Sequence, residues 1–397
     1  MTTRREFLTT TGAAALGAAA GMTLGANAMG GLMKDLTASK KKLRLLILGG
    51  TGFLGPQIVR RAVANGHEMT LFNRGRSGPD MFPDLEHLQG DRYSDLSALE
   101  QAVADGRTWD CVIDTFTYVP KTVTDAMDVL LPAMGQFLVV STISVYAPPG
   151  EPGADENAPL ATVDDATAAG ITTHREVGVH YGAMKARVEK AAEERFPGKV
   201  TVVRPGLICG ERDTTGRYSY WPLRAQEGGR MIAPGDGSDY VQYIDVRDLG
   251  DFIVHCAEKR LCETYTADSP ADTRTVKSMV DAAIAAAGTS PEVAYLPADF
   301  LQSQNVAPWQ QMPVWLPNSE FPSRGRLSVA RALAAGMTIR PEVETAKSVL
   351  EYVRTRGPEI REERGDETAD QWAQRVRGGL PAEREREVLA AWDAREG

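Results

Sequence analysis

Cysteine is scarce in this chain: four residues in 397, Cys111, Cys209, Cys256 and Cys262, with no Cys-x-x-Cys pair and no Cys/His cluster. That spacing excludes a zinc module and a disulfide framework, and no metal site is expected. Beyond the first 30 residues no apolar run is long enough to mark a spanning helix. Low-complexity tracts and short internal repeats are also missing, which excludes a solenoid. There is no excess of basic residues either, since 44 Lys and Arg face 53 Asp and Glu for a net charge of −9. A chain of this sign repels nucleic acid and anionic lipid unless a local basic patch intervenes, so no nucleic-acid partner is expected. What remains is a globular composition, 43% hydrophobic and 24% charged, long enough for one large domain or a large domain with a smaller partner.

The N-terminus carries a processing pattern. Thr3-Arg4-Arg5-Glu6-Phe7-Leu8 precedes a mildly apolar Ala/Gly/Leu stretch and then Ala26-Asn27-Ala28. These are the charged region, apolar region and small-residue cleavage site of an export signal. Adjacent arginines followed by Phe-Leu predict the twin-arginine type. Residues 1–28 are thus expected to engage the twin-arginine export machinery and to direct the chain to a periplasmic or other extracytoplasmic location, with 29–42 a linker.

From residue 43 the pattern alternates. Short apolar runs at Leu43–Leu48, Glu68–Phe72, Leu85–Gln89, Cys111–Asp114, Phe137–Ser141 and Val200–Val203 read as strands buried in a parallel sheet. Helical periodicity separates them at Gly52–Ala64, Ser94–Ala104, around Val123–Leu130 and at Tyr181–Arg195. This alternation predicts an α/β fold built of βαβ units, a doubly wound parallel sheet over 43–205. A mixed α/β substrate subdomain is expected over 206–358, with helices at Asp248–Glu258, Val276–Ala287 and Val343–Arg354 and an ordered loop at Trp309–Pro322. Residues 359–397 read as a charged helical tail anchored by Trp372 and Trp392.

The motif with the clearest physical meaning is Gly49-Gly50-Thr51-Gly52-Phe53-Leu54-Gly55, placed between a buried strand and a helix. Glycines at 49, 52 and 55 allow a tight turn, a close approach of backbone to a pyrophosphate and close helix packing. The predicted ligand is a nicotinamide dinucleotide, with Gly49, Thr51, Gly52, Phe53, Leu54 and Gly55 around its phosphates. At the end of the second strand an acidic residue would favour NAD. Asn73 instead bonds a hydroxyl without opposing a 2′-phosphate, and Arg74 pairs with one, so the reading favours NADP over NAD. A solvated loop arginine is the alternative for Arg74. After the third strand, Asp91 and Arg92 fall beside the adenine, or Asp91 caps the next helix.

Two further segments supply catalytic chemistry. In Tyr181-Gly182-Ala183-Met184-Lys185 the i and i+4 side chains share a helix face. A lysine ammonium and a cationic nicotinamide both favour the phenolate, which would lower the Tyr181 pKa towards that of a general base. Thr142, in Ser141-Thr142-Ile143-Ser144-Val145-Tyr146, sits at the carboxyl end of a strand, where ligands bind in such sheets.

Together with Val203-Arg204-Pro205-Gly206 and Tyr243-Ile244-Asp245-Val246-Arg247-Asp248, these motifs stand in the order found in extended short-chain dehydrogenases/reductases. Over about 43–355 the chain resembles that group, the NAD-dependent epimerase/dehydratase family, in a partly atypical subgroup. The resemblance implies a seven-stranded Rossmann sheet with a small C-terminal substrate subdomain, a Thr142/Tyr181/Lys185 triad, and Lys185 on the nicotinamide ribose. It also implies substrate contacts from Arg217, Tyr220, Trp221, Arg224, Gln242 and Arg247, with Trp221 stacking on a sugar-like ring and the arginines bonding hydroxyls or an acid group. Core packing and salt bridges are the competing roles for Trp221 and Arg247. Family members often pair through the tyrosine helix, so a homodimer is a further expectation. Two segments depart from the pattern: Asp114-Thr115-Phe116-Thr117-Tyr118 after the fourth strand, and a Pro-, Gly- and acid-rich insertion, Pro148 to Asp165, read as a lid.

Export sharpens the expected reaction. Outside the cytoplasm no pool of nicotinamide cofactor is available for exchange, whereas a twin-arginine substrate travels folded with its cofactor in place. The expectation is a redox-neutral epimerase- or dehydratase-like enzyme with tightly held dinucleotide, acting on a free sugar, glycoside or envelope saccharide. A net oxidoreductase of the carbonyl reductase kind, and a non-catalytic dinucleotide- or RNA-binding protein, are the alternatives.

Overall fold

A computed structural model describes residues 41–395 apart from 77, 79, 149, 214, 324 and 365–377. The expected export signal (1–28), most of the linker and Trp372 lie outside the described residues. Strands β1 (Arg44–Leu48), β2 (Glu68–Asn73), β3 (Glu86–Gln89), β4 (Cys111–Asp114), β5 (Phe137–Val140) and β6 (Val200–Pro205) follow in chain order. After an excursion through β7 (Ile208–Cys209), β8 (Arg230–Pro234) and β9 (Ile244–Asp245) the chain returns as β10 (Thr264–Ala267), and β11 (Glu292–Leu296) follows. The main sheet has seven strands in the order β10-β6-β5-β4-β1-β2-β3, all parallel. Order reverses at β1, where β2 departs to one side and β4 to the other. This is the Rossmann arrangement, and ligands bind at that switch point beyond the strand ends.

The sheet is covered on both faces. Leu45 and Ile47 face one layer, which includes Ile58 of the helix Gly55–Ala64 and Leu249 and Ile253 of Val246–Lys259. Leu46 and Leu48 face the other, with Val123 and Met127 of Pro120–Leu130 and Val188 of Tyr181–Arg195. Every residue of β4, β5 and β6 is buried, which is why these strands read as continuous apolar runs rather than alternating ones.

A second core forms around Trp221, Trp315, Tyr218 and Tyr243, with the parallel pair β8–β11 and the helix Val276–Ala287. Of the residues expected to form a tail, the helix Ala382–Asp393 is built into it. Val388 and Leu389 of the helix Ala382–Asp393 are buried there, and Trp392 packs edge-on against Phe300 at 4.8 Å between ring centres. Glu385 of the same helix is buried too, pairing with Arg224 at 2.6 Å and accepting the Ile232 amide at 2.9 Å. Removing one member of a buried pair leaves an uncompensated charge. Glu385→Ala is therefore expected to destabilise the fold by about 3–5 kcal/mol, read as a lowered urea midpoint with an unchanged slope. Stability equal to the parent's would show that this helix is dispensable.

Candidate active site

The carboxyl ends of β1, β2, β4, β5 and β6 open into a cleft of about 680 Å³. All of the residues expected around the dinucleotide border it: Gly49, Thr51, Gly52, Phe53, Leu54, Gly55, Asn73, Arg74, Asp91, Arg92 and Lys185. Thr142, Tyr181 and Arg217 border it as well.

The glycine turn has the shape of a phosphate cradle. Gly49 and Gly50 have φ of +121° and +99°, which side chains rarely adopt. A Cβ on Gly55 would lie 2.5 Å from the Gly50 backbone, so this glycine lets the helix close on the strand. Gly52 differs, because a Cβ there would meet nothing within 4 Å. Its bare backbone faces the cleft where a pyrophosphate would need to approach. The helix that follows has no side-chain cap and no acid in its first turn, so its positive end is left to an anion. These features fit a dinucleotide.

Beyond β2, the Asn73 side chain is held by its own turn, accepting from the Gly75 amide at 2.8 Å, while Arg74 is exposed. Arg76, which sequence reasoning missed, borders the cleft as a second cation two residues on. Asp91 caps the Tyr93 amide at 2.9 Å, and it is Asp95 that binds Ser97 at the start of the next helix. Arg92 borders the cleft, but its guanidinium turns inward: it donates two 2.8 Å bonds to Asp114 and a third to the Thr122 carbonyl. It braces the end of β4 instead of reaching outward.

Tyr181, Lys185 and Thr142 converge because of one small residue. A Cβ on Gly182 would lie 1.9 Å from the Ser144 carbonyl oxygen, so only glycine lets the tyrosine helix close on the Thr142–Ser144 turn. Thr142 and Tyr181 both border the cleft, with the Thr142 hydroxyl oxygen accepting the Ser144 amide at 3.2 Å. Lys185, 4% exposed, donates to the Val140 carbonyl at 2.6 Å and to the Thr117 hydroxyl, and lies 5.5 Å from the Tyr118 ring centre. Thr117 and Tyr118, from the atypical segment after β4, thus form the lysine's surroundings.

The electrostatics differ from the expectation. Burial raises the Tyr181 phenol above its ordinary range, partly offset by the Thr142 hydrogen bond and the Arg217 charge. Burial also lowers Lys185 from 10.5 to about 7, against the opposing pull of Asp114 and Glu189. With its Nζ turned to Val140 and Thr117, Lys185 is not among the groups that favour the phenolate. The sign of the lysine shift has a consequence for stability. Between about 7 and 10.5 the unfolded chain holds a proton that the folded chain lacks, so stability rises with pH across that window. Lys185→Met removes the buried charge, and Thr117 still donates to Val140. In dinucleotide-free protein this variant is expected to be the more stable at pH 7, with its advantage shrinking towards pH 10 in urea melts. A gap independent of pH would contradict the assignment.

Five of the expected substrate residues do not border the cleft. The Trp221 ring is fully buried, and its Nε1 donates to the Pro313 carbonyl at 3.0 Å. Tyr220 is buried beside it. Arg224 is locked by Glu385 and by the carbonyls of Gly228 and Arg230. Gln242 stitches Ser269 to Leu327. Arg247 folds back on Asp245 and the Glu344 carbonyl. In each case apolar bulk or a polar partner elsewhere in the chain wins the side chain. The tryptophan that borders the cleft is Trp309, 36% exposed, with φ +65°. For a bulky residue this conformation costs about 1–3 kcal/mol and persists only where neighbours enforce it. Its only hint in the sequence is a tryptophan after Pro308 in a long loop.

The insertion is not a lid. None of its described residues from 148 to 165 borders the cleft. Its Glu156 accepts the Thr266 amide at 2.6 Å and pairs with Arg331 at 3.4 Å, while its carbonyl takes Arg204, so the segment is clamped along the β6–β10 edge. The stretch just after it comes closer. His174 is 3.1 Å from the Tyr93 hydroxyl and stacks edge-on with Phe116, and Tyr93 and Phe116 both border the cleft.

Fold and site together define a Rossmann-type dinucleotide-binding protein with a Thr–Tyr–Lys constellation. The chain belongs to the NAD dependent epimerase/dehydratase family, whose sequence profile matches residues 45–266, and it is of the extended short-chain dehydrogenase/reductase type. It is 26% identical over 228 residues to the Bos taurus epimerase family protein SDR39U1, covering 54% of this chain and 70% of that one. It is 31% identical over 124 residues to the Arabidopsis thaliana chloroplast stem-loop binding protein of 41 kDa b, covering 28% and 32%. In fold it is similar to the Thermus thermophilus UDP-glucose 4-epimerase solved with NAD, with a TM-score of 0.51 and 18% identity over 79% of this chain and 99% of that one.

Proposed function

We propose that the chain is a redox-neutral epimerase- or dehydratase-type enzyme acting on a carbohydrate carbinol, with Thr142, Tyr181 and Lys185 as its working groups. The observation that carries this reading is their convergence at the mouth of the glycine-cradled cleft. Gly49 to Gly55 would hold the phosphates of the dinucleotide, Arg74 and Arg76 the adenosine ribose, and Lys185 the nicotinamide ribose. When bound, the dinucleotide supplies a hydride acceptor and donor. Tyr181 takes the carbinol proton, and Thr142 holds the same oxygen in line. Lys185 gives up its bond to Val140 for the ribose, and its charge beside the phenol then favours the phenolate.

The two exposed arginines after β2, with no acid at Asn73, favour NADP over NAD. The leader at Arg4-Arg5 supports twin-arginine export to the periplasm, and hence a retained cofactor and a sugar, glycoside or envelope saccharide as substrate. The helix Tyr181–Arg195 is the proposed face for a homodimer. Net charge opposes an RNA-binding role of the kind that the Arabidopsis relative's name describes.

Absorbance at the reduced-nicotinamide band separates this reading from a net oxidoreductase. During turnover of a saccharide the band is expected to stay flat while product accumulates. A steady rise or fall in proportion to product would identify a carbonyl reductase or dehydrogenase instead.

A further inference from the structure

We propose that Arg217 and Trp309 form a clamp for a carboxylate-bearing sugar ring, a uronic acid or its glycoside. This rests on the reading of Tyr181 as the group that works on a carbohydrate carbinol, and narrows its substrate class.

Two independent features meet at this end of the cleft. The first is the way Trp309 is presented. Its amide donates to the carbonyls of Met312 at 3.1 Å and Trp315 at 3.0 Å. Beneath it, the Trp221 indole holds Pro313 and the Trp315 indole donates to Asp239 at 2.7 Å. The same loop carries two more left-handed residues, Asn305 at φ +55° and Val314 at φ +70°. Trp221 and Trp315 are fully buried, and both brace a strained turn whose third tryptophan is left in the open cleft. Packing alone does not call for that arrangement. An exposed indole face suits the C–H face of a pyranose.

The second feature is an arginine that forms no ion pair among the described residues. Arg92, Arg204, Arg224, Arg247 and Arg340 each pair with a buried carboxylate, whereas Arg217 does not. Its Nε donates to the Thr215 hydroxyl at 3.1 Å, which fixes the plane of the guanidinium, and its Cζ lies 5.8 Å from the Trp309 ring centre. Asp213, an acid on which the Arg217 charge acts, has one oxygen committed to the amide and hydroxyl of Thr215, and burial pushes its carboxyl up. Arg217, Trp309 and Tyr181 border the same cleft, so clamp and reacting group can meet the same ligand. A planar guanidinium with no acid partner matches a carboxylate in bidentate fashion. A diphosphate would call for several cations, and the other arginines bordering the cleft without an ion pair among the described residues, Arg74 and Arg76, stand beyond β2 at the opposite side of the switch point.

The test uses the purified, dinucleotide-loaded full chain and calorimetric titration with three probes: methyl β-D-glucopyranoside, its uronate counterpart and glucose 1-phosphate. The uronate is expected to bind at least about tenfold more tightly than the glucoside, the size of one charge-assisted contact. Arg217→Gln should erase that preference and leave glucoside binding alone, while Trp309→Ala should weaken both sugars. Equal binding of uronate and glucoside, a preference for the phosphate, no binding of any probe, or a preference that survives Arg217→Gln would each overturn the clamp. Dinucleotide content, measured on the same samples, separates the two levels. A chain that holds no dinucleotide defeats the functional reading, whereas a loaded chain without uronate preference defeats the clamp alone.

Discussion

Tyr181→Phe is expected to lower turnover by about 10²–10⁴-fold, the usual contribution of a positioned acid–base group, while dinucleotide affinity and fold stay as they are. Three observations make the phenol oxygen the decisive atom. Tyr181 borders the cleft beside Thr142, Arg217 borders the same cleft, and the Tyr181 backbone is fixed by the close approach of Gly182 to Ser144. Removing one oxygen leaves the ring and its packing against Tyr118 in place, at 6.0 Å between centres. The loss should therefore fall on kcat, with little change in the dissociation constant of the dinucleotide. Thr142→Val should cost less, since a second group still holds the proton. If Tyr181→Phe keeps parental turnover, the constellation is structural and the assignment of Tyr181 as the acid–base group fails.

The second large effect separates two glycines three residues apart. Gly52→Ala adds a methyl that meets nothing within 4 Å of protein, at a position without positive φ, so stability should change by less than about 0.5 kcal/mol. The methyl stands instead where backbone must approach the pyrophosphate. Dinucleotide affinity is expected to fall by roughly tenfold to a hundredfold, as when one or two hydrogen bonds to a charged group are lost. Gly55→Ala acts through the fold. Its methyl lies 2.5 Å from the Gly50 backbone, an overpacking that should cost about 1–3 kcal/mol of stability and distort the turn as well. Thermal melts with and without dinucleotide distinguish the cases. Gly52→Ala should melt like the parent when unliganded and lose the stabilisation that ligand confers. The reverse pattern would mean that the cradle has been misplaced.

The sheet was legible in the sequence because its signals are local. Strands buried on both faces read as apolar runs, the strand–turn–helix fixes where a phosphate fits, and Tyr181 and Lys185 share a helix face by spacing alone. The substrate side was not legible, because there the assignment depends on which side chain wins a distant partner. Trp221 and Trp309 are both tryptophans in proline-containing segments. Only the packing of Trp221 under Pro313 shows that it supports the loop and that Trp309 borders the cleft. Arg224 and Arg247 looked as available as Arg217 until Glu385 and Asp245 claimed them. The insertion at 148–165 had the composition of a mobile lid, yet Glu156 finds partners on Thr266 and Arg331, more than a hundred residues away. The charge state of Lys185 was hidden for a related reason. Spacing places the ammonium near Tyr181, but only the buried carbonyl of Val140 shows where it turns.

The central claim, a dinucleotide held as a resident group in the glycine cradle, has a direct measurement. The exported form is isolated, washed extensively and denatured, and the released small molecules are identified and counted by mass spectrometry and absorbance. The expected result is close to one dinucleotide per chain, NADP in preference to NAD, surviving the wash and lost in Gly52→Ala. Recovery of folded protein with no dinucleotide, together with no tight binding on reconstitution, would contradict it.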